Sequence, residues 1–105
     1  MNKPILIVGG GPAGLAAAHA LARVGQNSVV VEKEDRLGGA PILSGYAKLV
    51  PSGEWARDAI GGMVDRVRND PLVDVQTSAR VESFAGQPGA FNARLSNGTS
   101  VDAAA

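Results

Sequence analysis

The feature that most limits how this chain can fold is a run of glycines set between two apolar segments. Gly9-Gly10-Gly11-Pro12-Ala13-Gly14 follows the continuous apolar run Pro4 to Val8. It leads into a segment from Gly11 to Val24 where Ala13, Ala17, Ala18, Leu21 and Ala22 recur at helical spacing. A short apolar run bounded by glycine reads as a strand buried on both faces, as in a parallel sheet. Gly25 is a stop signal for the helix, and Ser28 to Val31 is a second, β-branched strand. Strand, helix and strand together span about 30 residues, the size of a right-handed βαβ crossover.

Beyond Val31 the pattern changes twice. Glu32 to Gly53 is irregular and broken by Gly38, Gly39, Pro41, Gly45, Pro51 and Gly53; so long an irregular stretch in a small domain tends to be functional. Ser52 is a candidate cap for a helix from about Glu54 to Asn69, with Trp55, Ala59, Ile60, Met63, Val64 and Val67 on one stripe. Gly61-Gly62 inside it costs roughly 1 kcal/mol per glycine relative to Ala. Either the helix breaks there or something packs very close. Leu72 to Thr77 reads as a third parallel strand. Ala79 to Phe84, Phe91 to Leu95 and Thr99 to Val101 then alternate with period two. Gln87-Pro88-Gly89 and Asn97-Gly98 separate them, and Asn-Gly is a strong hairpin signal. These segments predict an antiparallel meander hung on the parallel sheet.

The expected fold class is therefore α/β: a Rossmann-type FAD/NAD(P)-binding fold in which a parallel sheet carries a β-meander. The region is read as one unit, 1–105, with a βαβ core, helix and third strand over 1–78 and the meander over 79–105. Three parallel strands are few for such a sheet, so the expectation is the N-terminal part of a longer protein.

Composition narrows the function classes. Lys plus Arg and Asp plus Glu are both 10, so no basic field draws nucleic acid or acidic lipid. With no cysteine, disulfides, thiol nucleophiles and cysteine-held iron–sulfur clusters are excluded within these residues, and one histidine cannot build a zinc site. No segment reaches the roughly 18 apolar residues of a membrane span. The start, Met1-Asn2-Lys3-Pro4, leads straight into a strand without the long apolar stretch of a secretory signal. The cytoplasm is the default expectation.

Gly9-x-Gly11-x-x-Gly14, placed after a strand and opening a helix, has a specific chemistry. The first glycine makes a tight turn, the second lets a pyrophosphate approach the backbone, and the third lets helix and strand pack closely. The helix start presents unpaired N–H groups and a partial positive charge. Pro12 falls where its missing N–H costs nothing, and Ala13 follows it in the first turn. Glu32 ends the second strand, 18 residues after Gly14, close to the roughly 20 expected for an acid that accepts from an adenosine ribose. A carboxylate there repels a 2′-phosphate, which disfavours NADP. The fingerprint alone does not decide between FAD and NAD.

Family resemblance points to FAD. Gly-Gly-Gly-Pro-Ala-Gly, then Val31-Glu32-Lys33, then Leu37-Gly38-Gly39 resembles the two-dinucleotide-domain flavoproteins. That resemblance implies that Gly38 and Gly39 lie over the FAD pyrophosphate and ribityl chain. The run Arg68-Asn-Asp-Pro-Leu-Val-Asp-Val-Gln-Thr77 followed by Ala79-Arg-Val-Glu-Ser-Phe-Ala-Gly-Gln-Pro-Gly-Ala-Phe91 is similar to the A-type flavoprotein subunit of heterodisulfide reductase, above all in the heterodisulfide-reductase-like complexes of sulfur-oxidising bacteria. The resemblance implies electron transfer in sulfur-compound oxidation, partner subunits of a redox complex, and backbone contact with adenine at Arg80 and Val81. A homodimer is a further open possibility. The methanogen subunits carry cysteine clusters, which this chain lacks; the sulfur-oxidising branch fits better. The resemblance also implies a following strand ending in Ala-Thr-Gly that closes the FAD site.

Other residues have plainer readings. His19 lies about two turns into the helix, too far along for a flavin ring. Lys33 and Arg36 are candidates for adenosine or phosphate contact and are equally ordinary surface charges. Tyr46 and Lys48 lie in the irregular stretch with nothing to aim them, and Trp55 reads as a packing anchor. No pair forms an acid–base or nucleophilic set, as expected if a flavin carries the chemistry. Three rival readings stay open: an NAD-dependent dehydrogenase with a single Rossmann domain, a non-catalytic FAD-binding module, and a fragment that holds no cofactor at all.

Overall fold

The computed structural model describes residues 3–38 and 56–105. The elements are β1 (Ile5–Val8), α1 (Pro12–Arg23), β2 (Ser28–Val31), α2 (Ala56–Arg68), β3 (Val73–Gln76), β4 (Val81–Gln87), β5 (Ala90–Leu95) and β6 (Ser100–Ala103). The first three strands form a parallel sheet in the order β1-β2-β3, and the last three form an antiparallel sheet in the order β4-β5-β6.

The central strand explains the layering. All four residues of β2 are buried, as a continuous β-branched run between two layers requires. Val30 belongs to a core with Leu15 and Ala18 of α1, Val67 of α2, Val73 of β3, and Leu37. Its neighbours Val29 and Val31 belong to a second core with Ala79, Leu95, Val101 and Ala103. Alternation along one strand thus feeds helices on one face and the meander on the other. Each fully buried valine is worth about 1.5–3 kcal/mol. The meander does not extend the parallel sheet; it packs across its face. The last residues do reach its edge: Ala104 N–H donates to Pro4 O at 2.9 Å and Leu6 N–H donates to Ala105 O at 2.8 Å.

Helix α1 begins and ends as its sequence dictates. Gly11 is the N-cap, with no side-chain cap, and Pro12 sits in the first turn. At the other end Gly25 takes φ +79°. Gly25 N–H donates to Ala22 O at 3.0 Å and Gln26 N–H to Leu21 O at 2.9 Å, the paired bonds of a Schellman stop.

Helix α2 corrects one expectation. It runs unbroken through Gly61 and Gly62, and among the described residues nothing lies within 4 Å of where a Cβ would stand at either. The glycines neither break the helix nor admit a close neighbour. Met63, Val64 and Val67 dock the following turn on the helix-side core, and this packing outweighs the glycine cost. The proposed Ser52 cap, Trp55, Tyr46 and Lys48 lie outside the described residues. In the meander, β4 starts at Val81 rather than at Ala79, and β5 and β6 run slightly longer than the alternation suggested. Ala79 instead lies buried in the meander-side core. Among the described residues no helix is long and apolar enough to cross a membrane.

Candidate functional site

The site forms where β1 and β2 end. Gly9 closes β1 with φ +108°, a conformation that side chains rarely adopt. Gly14 lies against that turn: a Cβ there would stand 2.0 Å from Gly9 O. Only glycine lets α1 come so close. At Gly11, by contrast, a Cβ would meet nothing within 4 Å among the described residues. The described residues therefore leave this bare backbone uncovered just where the helix leaves its first N–H groups without intrahelical partners. Pro12 and Ala13 follow in that first turn, Ala13 exposed.

Glu32 is 7% exposed at the end of β2. Its Oε1 accepts from Gly10 N–H at 2.7 Å and its Oε2 accepts from Glu34 N–H at 2.8 Å. Each oxygen keeps a further lone pair. The Glu32 main chain is held as firmly: its N–H donates to Gln76 O at 2.8 Å and its carbonyl accepts from Ala79 N–H at 3.0 Å. One residue thus joins the glycine turn, the loop after β2 and the link from β3 to β4. In that link Ser78 adopts φ +52°, a left-handed conformation costing about 1 kcal/mol or more for a residue other than glycine. Its N–H donates to Glu34 O at 2.7 Å.

The loop after β2 folds back on the turn. Leu37 is buried, and Gly38, with φ +111°, donates its N–H to Gly10 O at 2.8 Å. That N–H is therefore committed within the protein. A Cβ on Gly10 would approach Leu37 Cδ2 and Glu32 Cβ, so Leu37 covers Gly10, which lies between the first two glycines of the fingerprint. Gly39 lies outside the described residues.

A pocket of about 370 Å³ opens beside this node, lined by Val8, Gly9, Val31, Glu32, Lys33, Ala79, Arg80 and Val81. Lys33 and Arg80 are exposed and Val81 is half-buried. The Arg80 main chain is pinned to Ser96, accepting from Ser96 N–H at 2.8 Å and donating to Ser96 Oγ at 2.9 Å. The structure thus gathers Gly9, Glu32, Lys33 and Val81 around one pocket. Val8, Val31 and Ala79 are lining residues that sequence reading missed; the signal was available in strand alternation, which turns Val29 and Val31 away from the helices. Arg36 is exposed, does not line this pocket, and pairs with the exposed Asp35 3.4 Å away, a contact of little energetic weight. His19, half-buried in α1, takes no part in the pocket. Among the described residues no group of His, Cys, Asp and Glu could hold a metal ion.

Comparison with known proteins gives this geometry a family. Residues 4–97 match the model of the FAD dependent oxidoreductases. The chain is 31% identical over 94 residues to the A-type subunit of the Ferredoxin/F(420)H(2)-dependent CoB-CoM heterodisulfide reductase of Methanosarcina acetivorans, covering 90% of this chain and 12% of that protein. It is 42% identical over 71 residues to the urocanate reductase of Eggerthella lenta, covering 66% of this chain and 12% of that protein. Among solved structures, L-proline dehydrogenase from P. horikoshii superposes with a TM-score of 0.77 at 20% identity, over 90% of this chain and 19% of that one; the fold is shared. The chain spans about 12% of the length of these curated relatives. It belongs to the FAD-dependent oxidoreductase family, whose cofactor is FAD.

Proposed function

We propose that this region holds the ADP half of FAD within an oxidoreductase flavoprotein related to the A-type component of heterodisulfide reductase. The observation that carries the reading is the pairing of a helix start at Gly11 that has no side-chain cap with a buried carboxylate that lines a 370 Å³ pocket. The first favours a pyrophosphate; the second suits ribose hydroxyls. Gly9, Gly11, Pro12, Ala13 and Gly14 would bound the pyrophosphate. Glu32 would accept from the ribose with its remaining lone pairs. Lys33 and Val81 would flank the adenosine, and Gly38 and Gly39 would border the phosphate–ribityl side. Gly38 would act by shape, since its N–H is taken by Gly10.

When bound, the flavin supplies the electron-transfer chemistry. The chain's residues contribute binding, orientation and a fixed negative charge. A carboxylate beside the ribose also disfavours a 2′-phosphate. The heterodisulfide reductase relative supports a role for the whole protein within a multi-subunit redox complex acting on sulfur compounds. The urocanate reductase relative supports a second reading, in which the same FAD region serves reduction of a carbon substrate.

Binding is tested by titrating FAD into the purified chain and following quenching of flavin fluorescence, with NAD and NADP as competitors. Saturable binding of FAD in preference to both is expected. NAD binding without FAD binding would favour the single-domain dehydrogenase instead. The substrate readings separate on the intact protein: reduction of its flavin by thiol or persulfide donors favours the first, and reoxidation of its reduced flavin by an unsaturated carbon acceptor favours the second.

A further inference from the structure

We infer that Asn97 is a self-modification site, a deamidation point that the fold holds in check. Asn97 and Gly98 form the turn between β5 and β6, and Gly98 takes φ +90°. With no side chain on the following residue, the Gly98 nitrogen has unhindered access to the Asn97 side-chain amide. The chemistry is balanced with water alone. The Gly98 backbone nitrogen loses its proton and bonds to Asn97 Cγ; the Cγ–Nδ2 bond breaks and ammonia leaves. Water then opens the resulting succinimide at either carbonyl, giving aspartate or isoaspartate, with no change in oxidation state.

The structure restrains both reacting groups. Asn97 Oδ1 accepts from Thr99 N–H at 3.0 Å and lies 2.6 Å from Thr99 Oγ1. The leaving nitrogen, Nδ2, donates to Gln76 Oε1 at 3.0 Å, and Thr99 Oγ1 lies 3.3 Å from the same oxygen. The attacking nitrogen donates its N–H to Leu95 O at 3.2 Å. Reaction therefore requires the turn to open. The Asn97 amide is also a polar tie between the meander and β3. As a carboxylate, its oxygen would face Gln76 Oε1 with no hydrogen to offer. Isoaspartate adds a backbone atom next to Ser96, whose two hydrogen bonds hold Arg80 in the pocket wall. Asparagine is among the thermally labile residues for this kind of reason.

The test is peptide mapping by mass spectrometry of the full chain, incubated in mildly alkaline buffer, folded and in urea. Aspartate and isoaspartate should accumulate at position 97, about ten-fold or more faster in urea, the scale set by losing hydrogen bonds of this strength. Thr99→Val should raise the folded-state rate several-fold, and Gln76→Ala, which leaves Thr99 intact, should do so independently. Equal rates folded and unfolded would overturn the restraint. Absence of product in both states would overturn the site itself.

Discussion

The two faces of β2 are buried alike, yet the pocket beside the glycine turn opens on the meander face. On the helix face, Leu15 and Leu37 belong to the core, and Leu37 closes over Gly10. On the meander face the core is as tight lower down, where Ala93 and Ala103 are fully buried, but it stops short of the strand ends. There Val8 is 69% exposed and Val31 forms pocket wall. The side-chain sizes account for this. The residues packed between the sheets include the small Ala79, Ala93 and Ala103, and the register of β4 against β5 shifts between Val81 and Ser83, beside the pocket wall. The helix side thus builds the turn; the meander side builds the space.

This contrast can be broken by substitution. The largest effect is expected at Gly14, where a Cβ collides with the Gly9 carbonyl on the helix side. Gly14→Val should cost about 3 kcal/mol or more by urea denaturation and abolish FAD binding with it; a variant of wild-type stability would show that the close approach is dispensable. Next comes ligand stabilisation: FAD at about 100 times its Kd should add about 2.7 kcal/mol of stability, read as a rise in Tm. An unchanged Tm at saturating FAD would sink the binding reading for this chain.

Val30→Ala and Val31→Ala form a matched pair, one on each face, each expected to cost about 2 kcal/mol. Only Val31→Ala should also weaken FAD binding in the fraction that remains folded. Equal losses of affinity would erase the division between turn and space. Glu32→Gln should cost about 1–2 kcal/mol in the absence of ligand, because its amide nitrogen cannot accept from Gly10 or Glu34. The smallest effect is expected at Val8: Val8→Ser should change stability by less than about 0.5 kcal/mol while lowering FAD affinity measurably.

Much of this was legible in advance, for local reasons. The glycine turn, α1 with its stop at Gly25, and β2 follow from backbone geometry and β-branching, which short segments encode by themselves. Glu32 could be found by spacing, but its two backbone partners could not, since they depend on how the 33–38 loop folds back. The pocket's apolar lining was missed because Val8, Val31 and Ala79 lie far apart in sequence and meet only when the two sheets pack. Gly61-Gly62 misled for a related reason: helix propensity is local, while the packing of Met63, Val64 and Val67 that overrides it is not. Ser78 carried no signal: its left-handed backbone accompanies a hydrogen bond from its N–H to Glu34 O, a contact far away in sequence.

The double tie between Gly10 and the loop after β2 has a kinetic consequence. Gly10 gives its N–H to Glu32 and its carbonyl to Gly38, so the turn is already shaped before any ligand arrives. Its ordering entropy is settled during folding and not at encounter. Association at this turn should therefore run at an ordinary diffusive rate without a slow conformational phase, and affinity differences among variants of its residues should reside in how fast the ligand departs.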